Sequence, residues 1–258
     1  ERMIQMKNCY ISDLIPPEEL AETVKELKAG VETIRFSVSM NLEDFDRQIR
    51  TAGRELELYG NPPLTLHGPF LDLNPMSYDV RIRQVTMERF EQAYEAAAAL
   101  GAEKIIYHSG MIPCTVYLEG WAERMADFWM EFLDGKSGIT VCMENVFDRE
   151  YSGILQVAEE VTHPDFGLCL DIGHAHCYSD YSVMEWAEQL GRYVRHVHLH
   201  DNDSSWDYHR ALGEGTVPWK RAVEELRRQN PEVTWTIECT KKEDIQKLYI
   251  RLSKDFSV

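Results

Sequence analysis

Short apolar runs alternate with longer segments whose apolar positions recur every three or four residues, from one end of the chain to the other. The first pattern predicts buried strands, the second amphipathic helices. Strands are expected near 4–11 and at Thr33–Ser39, Leu64–His67, Lys104–His108, Ile139–Glu144, Phe166–Asp171, from Val194 onward, and at Val233–Glu238. Pro16-Pro17 opens the first helix, which runs to about Ala29 with Gly30 as its stop. Asn41 starts the second helix, over 42–59, and the third ends at Gly101 with Phe90, Tyr94, Ala97 and Leu100 on one face. Further helices fall at about 119–133, 152–161, near 182–190, at 218–229 and from about Glu243. Eight β-α units of about thirty residues each close most simply as an α/β fold, the (β/α)8 TIM barrel, one domain over 1–258. An open doubly wound sheet would want a phosphate-binding glycine fingerprint after an early strand, and none is present.

Composition narrows the functional classes. No apolar run approaches the roughly 18 residues a membrane helix needs, and the first residues, ERMIQMKN, do not resemble a signal peptide. A cytoplasmic protein is therefore expected. The net charge of −17 disfavours loose binding to nucleic acid, because phosphates must be met by clustered Lys and Arg. Six widely spaced cysteines, with no C-x-x-C pair, read as reduced core residues. Trp121, Trp129 and Trp186 suit helix packing or a homo-oligomer contact.

The candidate chemistry collects at the strand ends. His67, His108, Glu144, Asp171 and Glu238 each close a strand, and the seventh strand carries His196, His198 and His200. Asp201, Asp203, Asp207 and His209 follow in a loop. In DIGHAH, His174 stands three residues after Asp171. The C-terminal ends of barrel strands converge on one mouth, so unpaired carboxylates there would repel and shift one another's pKa values. A bound cation removes that conflict. Nitrogen and oxygen donors suit Zn, Mn, Co or, with fewer imidazoles, Mg. His196, His198 and His200 alternate with Val197 and Leu199, a period-two pattern that fits a strand with one polar face.

LHGPFLDLNP, IIYHSG, MENV, GLCLDIGHAH, VHLHDND…DYH…GEGTVPW and IECT, in that order, resemble the xylose isomerase-like barrel superfamily. It holds sugar (phosphate) isomerases and epimerases together with endonuclease IV. The isomerase resemblance implies one metal on Glu144, Asp171, His198 and Glu238, with the two glutamates as acid and base. The reaction would be proton transfer through a metal-stabilised enediolate. Substrate would be held by His174, His67, His108, Phe70 and Trp219 of the GEGTVPW turn. The endonuclease IV resemblance implies up to three ions on nine residues: His67, His108, Glu144, Asp171, His174, His198, Asp207, His209 and Glu238. Phe70-Leu71 would then probe abasic DNA, although the loops after the first two strands are short. A sugar or sugar-phosphate substrate is the first expectation, a trinuclear phosphodiesterase the second, and a non-catalytic binding barrel the third.

Overall fold

The computed structural model describes residues 8–255. Eight parallel strands form a closed barrel in sequence order, β8 pairing with both β7 and β1. They are β1 Cys9–Ser12, β2 Gly30–Thr33, β3 Leu64–His67, β4 Lys104–His108, β5 Thr140–Glu144, β6 Phe166–Asp171, β7 Val194–Leu199 and β8 Thr234–Ile237. The helices α1 Pro17–Leu27, α2 Phe45–Tyr59, α3 Val80–Leu100, α4 Trp121–Leu133, α5 Ser152–Glu160, α6 Ile172–Tyr178, α7 Val183–Leu190, α8 Trp219–Gln229 and α9 Lys242–Asp255 surround it. Each helix buries an apolar stripe against the strands. Along α4, Trp129 is fully buried and packs on Phe90, Phe132 and Phe166. Its indole N–H donates to Met143 Sδ at 3.2 Å, which satisfies the polar atom that burial would otherwise strand.

Several expectations are corrected. The second strand is Gly30–Thr33, not Thr33–Ser39, and a 3-10 turn at Ser39–Leu42 precedes α2, which starts at Phe45. Gly30 opens this strand and does not stop the helix. A Cβ there would stand 2.4 Å from the Tyr10 ring and 2.9 Å from the Pro63 carbonyl, so glycine lets β2 lie close to Tyr10 of β1 and to the segment that leads into β3. Lys28, in the left-handed region at φ 53, ends α1 instead. Residues 4–7 of the first expected strand lie outside the described residues. Helix α6 is additional to the expected elements.

The three tryptophans are buried in helix packing. Cys9, Cys142, Cys169 and Cys239 are buried, whereas Cys114 is exposed and Cys177 partly so. All six are free thiols. No helix among the described residues is long and apolar enough to cross a membrane.

Candidate metal centre

The strand ladder sets the site. Parallel pairing places His108 beside Glu144, and Asp171 beside His198. A register shift between Leu168 and Cys169 allows the second pairing. Asp171 then ends β6 and caps α6, its Oδ1 accepting the His174 backbone N–H at 2.7 Å. That capped turn explains the three-residue step from Asp171 to His174. Asn145, directly after Glu144, donates its amide to the Asp171 carbonyl at 3.0 Å and accepts the Asp171 N–H at 2.9 Å. One side chain thus locks the ends of β5 and β6 together.

The nine candidates meet in one continuous cluster. Glu144 Oε2 lies 3.4 Å from His67 Nε2 and 3.6 Å from His108 Nε2. Its Oε1 lies 3.3 Å from His174 Nδ1 and 3.4 Å from His198 Nδ1. The same His198 nitrogen is 3.4 Å from Glu238 Oε1 and 3.8 Å from Asp171 Oδ2. Asp207 Oδ2 stands 3.3 Å from His174 Nε2 and 3.1 Å from His209 Nε2. Three histidines turn Nδ1 toward a backbone carbonyl: His67 to Gly68, His174 to Asn145 and His209 to Glu238, at 2.9–3.1 Å. A carbonyl can only accept, so each Nδ1 carries a proton and Nε2 is the nitrogen left to a cation, which displaces any proton held there.

Electrostatics follow from this crowding. Burial opposes charge on Glu144, but His198 and His108 outweigh it and hold the carboxyl well below the usual range. Burial likewise opposes charge on His174 and His198, yet neighbouring acids keep both imidazoles well above the ordinary value. Burial wins at His108, which falls to about 3. A divalent cation fits the same place. Among the described residues Glu144 Oε2, His198 Nδ1 and Asp207 Oδ1 are buried without a hydrogen-bond partner, and the nine donors are nitrogen or oxygen, with the Cys169 thiol close to Glu144 and His198.

Other expected residues sit elsewhere. Asp201 and Asp203 do not join the cluster, which corrects the loop as a ligand run. Asp201 is buried and accepts the backbone N–H of Gly213 at 2.6 Å and of Val217 at 3.0 Å. Asp203 pairs with Arg210 at 3.1 Å. His200 Nε2 lies 3.0 Å from the Asp171 carboxylate, and its ring stacks on His209 at 4.0 Å. Phe70 stacks on His108 at 4.2 Å and lines an apolar cavity of about 290 Å³ with Leu71, Leu73 and Phe147. Trp219 is placed in the hydrophobic core at the start of α8.

Sequence reasoning missed Glu32 and Asn145. Glu32 is fully buried on β2, with Oε1 3.0 Å from His198 Nε2. The signal is an acid inside the apolar run GVETIRF, hidden because the expected strand begins three residues too late.

This mouth, with acids and imidazoles at the ends of six strands, defines a (β/α)8 barrel built around a metal-ligand cluster. A family model described as the xylose isomerase-like TIM barrel matches residues 23–255; the chain belongs to that family. A relative from Mycobacterium leprae called probable endonuclease 4 is 25% identical over 197 residues, 71% of this chain and 76% of that protein. Among solved structures, a Thermus thermophilus protein soaked with zinc chloride superposes with a TM-score of 0.78 at 23% identity, covering 98% of this chain and 100% of that one. A D-tagatose 3-epimerase-like protein gives a TM-score of 0.74 at 22% identity, with coverage of 98% and 100%. Both likenesses establish the fold.

Proposed function

We propose that the protein is a divalent-metal-dependent isomerase or epimerase of a sugar or sugar phosphate, working by proton transfer through an enediolate. One observation carries this reading: Glu144 from β5 and Glu238 at the end of β8 both stand 3.4 Å from the same orphaned nitrogen, His198 Nδ1. Glu144, Asp171, His198 and Glu238 would hold the ion. When bound, Zn, Mn, Co or Mg supplies a Lewis acid for charge developing on a substrate carbonyl oxygen and its neighbouring hydroxyl.

The chain's own groups supply the rest. Glu238 has fewer imidazole neighbours than Glu144 and takes the carbon-bound proton; Glu144 serves the other side. His174, His67 and His108 offer nitrogen partners to substrate hydroxyls, and Phe70 provides an apolar face. The epimerase-like neighbour agrees with this chemistry.

A second reading, three-ion phosphodiester hydrolysis at abasic DNA, is favoured by a different observation. His174, His200, Asp207 and His209 form a further ligand group that one ion at His198 leaves unused. The name of the mycobacterial relative points the same way. Cation supply opposes it. Arg35 is matched by Glu55, Arg149 by Asp180 and Arg210 by Asp203, in a chain of net charge −17, whereas a DNA backbone needs free Lys and Arg.

Metal content and turnover decide between them. Purified protein is assayed for bound Zn and Mn, for turnover of a sugar and sugar-phosphate panel, and for incision of an abasic duplex. Glu238→Gln is expected to lower sugar turnover by at least about 10²-fold. Three ions with duplex incision and no sugar turnover would replace the isomerase reading by the second.

A further inference from the structure

Glu32 lies at the foot of the cluster, with no exposed surface. Its Oε2 accepts the hydroxyls of Thr65 and Thr236, each at 2.8 Å, and lies 3.0 Å from His196 Nε2. Three neighbours therefore saturate this oxygen and fix the carboxylate plane. Oε1 is left facing His198 Nε2 at 3.0 Å, and both atoms are otherwise without a hydrogen-bond partner among the described residues. The other ring nitrogen of His198, Nδ1, points into the cluster toward Glu144, Glu238 and Asp171. A buried carboxylate is costly unless its lone pairs are used. The barrel layer beneath uses only one of these two oxygens.

We propose that Glu32 is the positioning residue of the metal centre. Its Oε1 accepts the His198 Nε2 proton, which leaves the lone pair on Nδ1, and its charge strengthens that nitrogen as a donor. The inference rests on the cluster holding a divalent ion and is independent of the reaction catalysed.

The surrounding donors make one substitution diagnostic. In Glu32→Gln the amide must offer its carbonyl to Thr65 and Thr236, because both hydroxyls already donate to that position. The NH2 then faces His198 Nε2. Two donors cannot share that contact, so His198 takes its other tautomer and aims a proton from Nδ1 into the cluster.

The test uses the full chain loaded with zinc. Chelator competition gives zinc affinity and stoichiometry, and imidazole ¹⁵N shifts report the His198 tautomer. In the unaltered protein Nδ1 is expected on zinc with Nε2 protonated. Glu32→Gln should weaken one zinc equivalent about 10–100-fold, Glu32→Asp should restore part of the loss, and Thr65→Val, which keeps the carboxylate, should change it far less. Unchanged affinity in a folded Glu32→Gln protein overturns the proposal. So does an unaltered protein whose His198 binds zinc through Nε2, a result that needs no variant. Failure of the unaltered protein to bind zinc overturns the metal reading itself and is read separately from Glu32.

Discussion

Three histidines spaced two apart, on β7 and just past its end, have three different surroundings, and alternation alone could not assign them. His196 sits in a hydroxyl-lined layer with Thr234, Thr236 and Glu32, where burial pushes it down to about 4. His198 spans that layer and the mouth. His200 backs Asp171. What distinguishes them is depth along the barrel, set by neighbouring strands that lie far away in sequence. Gly173 shows how tightly this level is filled, since a Cβ there would stand 2.0 Å from His200 Cε1. Gly173→Ala is therefore expected to destabilise the fold by about 1–3 kcal/mol and to weaken zinc binding through displacement of His200. Thermal melting and zinc titration check both, and an unchanged melting temperature would contradict the packing described.

At the scale of elements, the well-patterned strands were legible. Leu64–His67, Lys104–His108 and Phe166–Asp171 match their expected bounds. They end at chemistry-bearing residues, so strand and site were read together. The second strand was misplaced because the polar Glu32 and Thr33 break an apolar run, and their justification lies inside the barrel, not in local pattern. Helix α6 escaped notice because its seven residues are too few for a period to register. The loop after β7 shows a division of labour that its acids concealed. Asp201 anchors the loop by accepting the backbone N–H groups of Asn202, Gly213 and Val217, while Asp207 and His209 face the cluster. Asp201→Ala should cost about 1–3 kcal/mol for donors left unpaired. It should also release any ion held by Asp207 and His209 while sparing the one at His198. Zinc stoichiometry with hydrogen exchange over 202–217 tests this; full zinc content with a protected loop would argue against the anchoring role.

For the molecule as a whole, the cluster links stability to both metal and protons. Zinc at 100 times its Kd should add about 2.7 kcal/mol, or about 5–10 °C in Tm for a chain of this size. Bound metal should offset the pH slope of the metal-free protein. Burial alone would lower His209, but the Asp207 hydrogen bond and Glu238 outweigh it and raise the group to about 9. In chelator-treated protein its stabilising contribution is complete below the unfolded value near 6.5 and is lost as pH rises through about 9. Zinc must displace that same proton, so its apparent affinity climbs over the same interval. Melting curves at pH 6 and pH 8, with zinc and with chelator, should show the larger metal-induced shift at pH 8. Equal shifts at both would contradict this linkage.

The closure of the ring by β8 also has a bearing on biosynthesis. Glu238 follows the last strand, and that strand joins β7 to β1. A nascent chain that has emerged only as far as the loop after β7 already displays every imidazole of the cluster but lacks this final carboxylate and the wall that aligns it. Complete metal capture must then wait until β8 and Glu238 have left the ribosome. Acquisition of the ion becomes a molecular receipt that the barrel has shut.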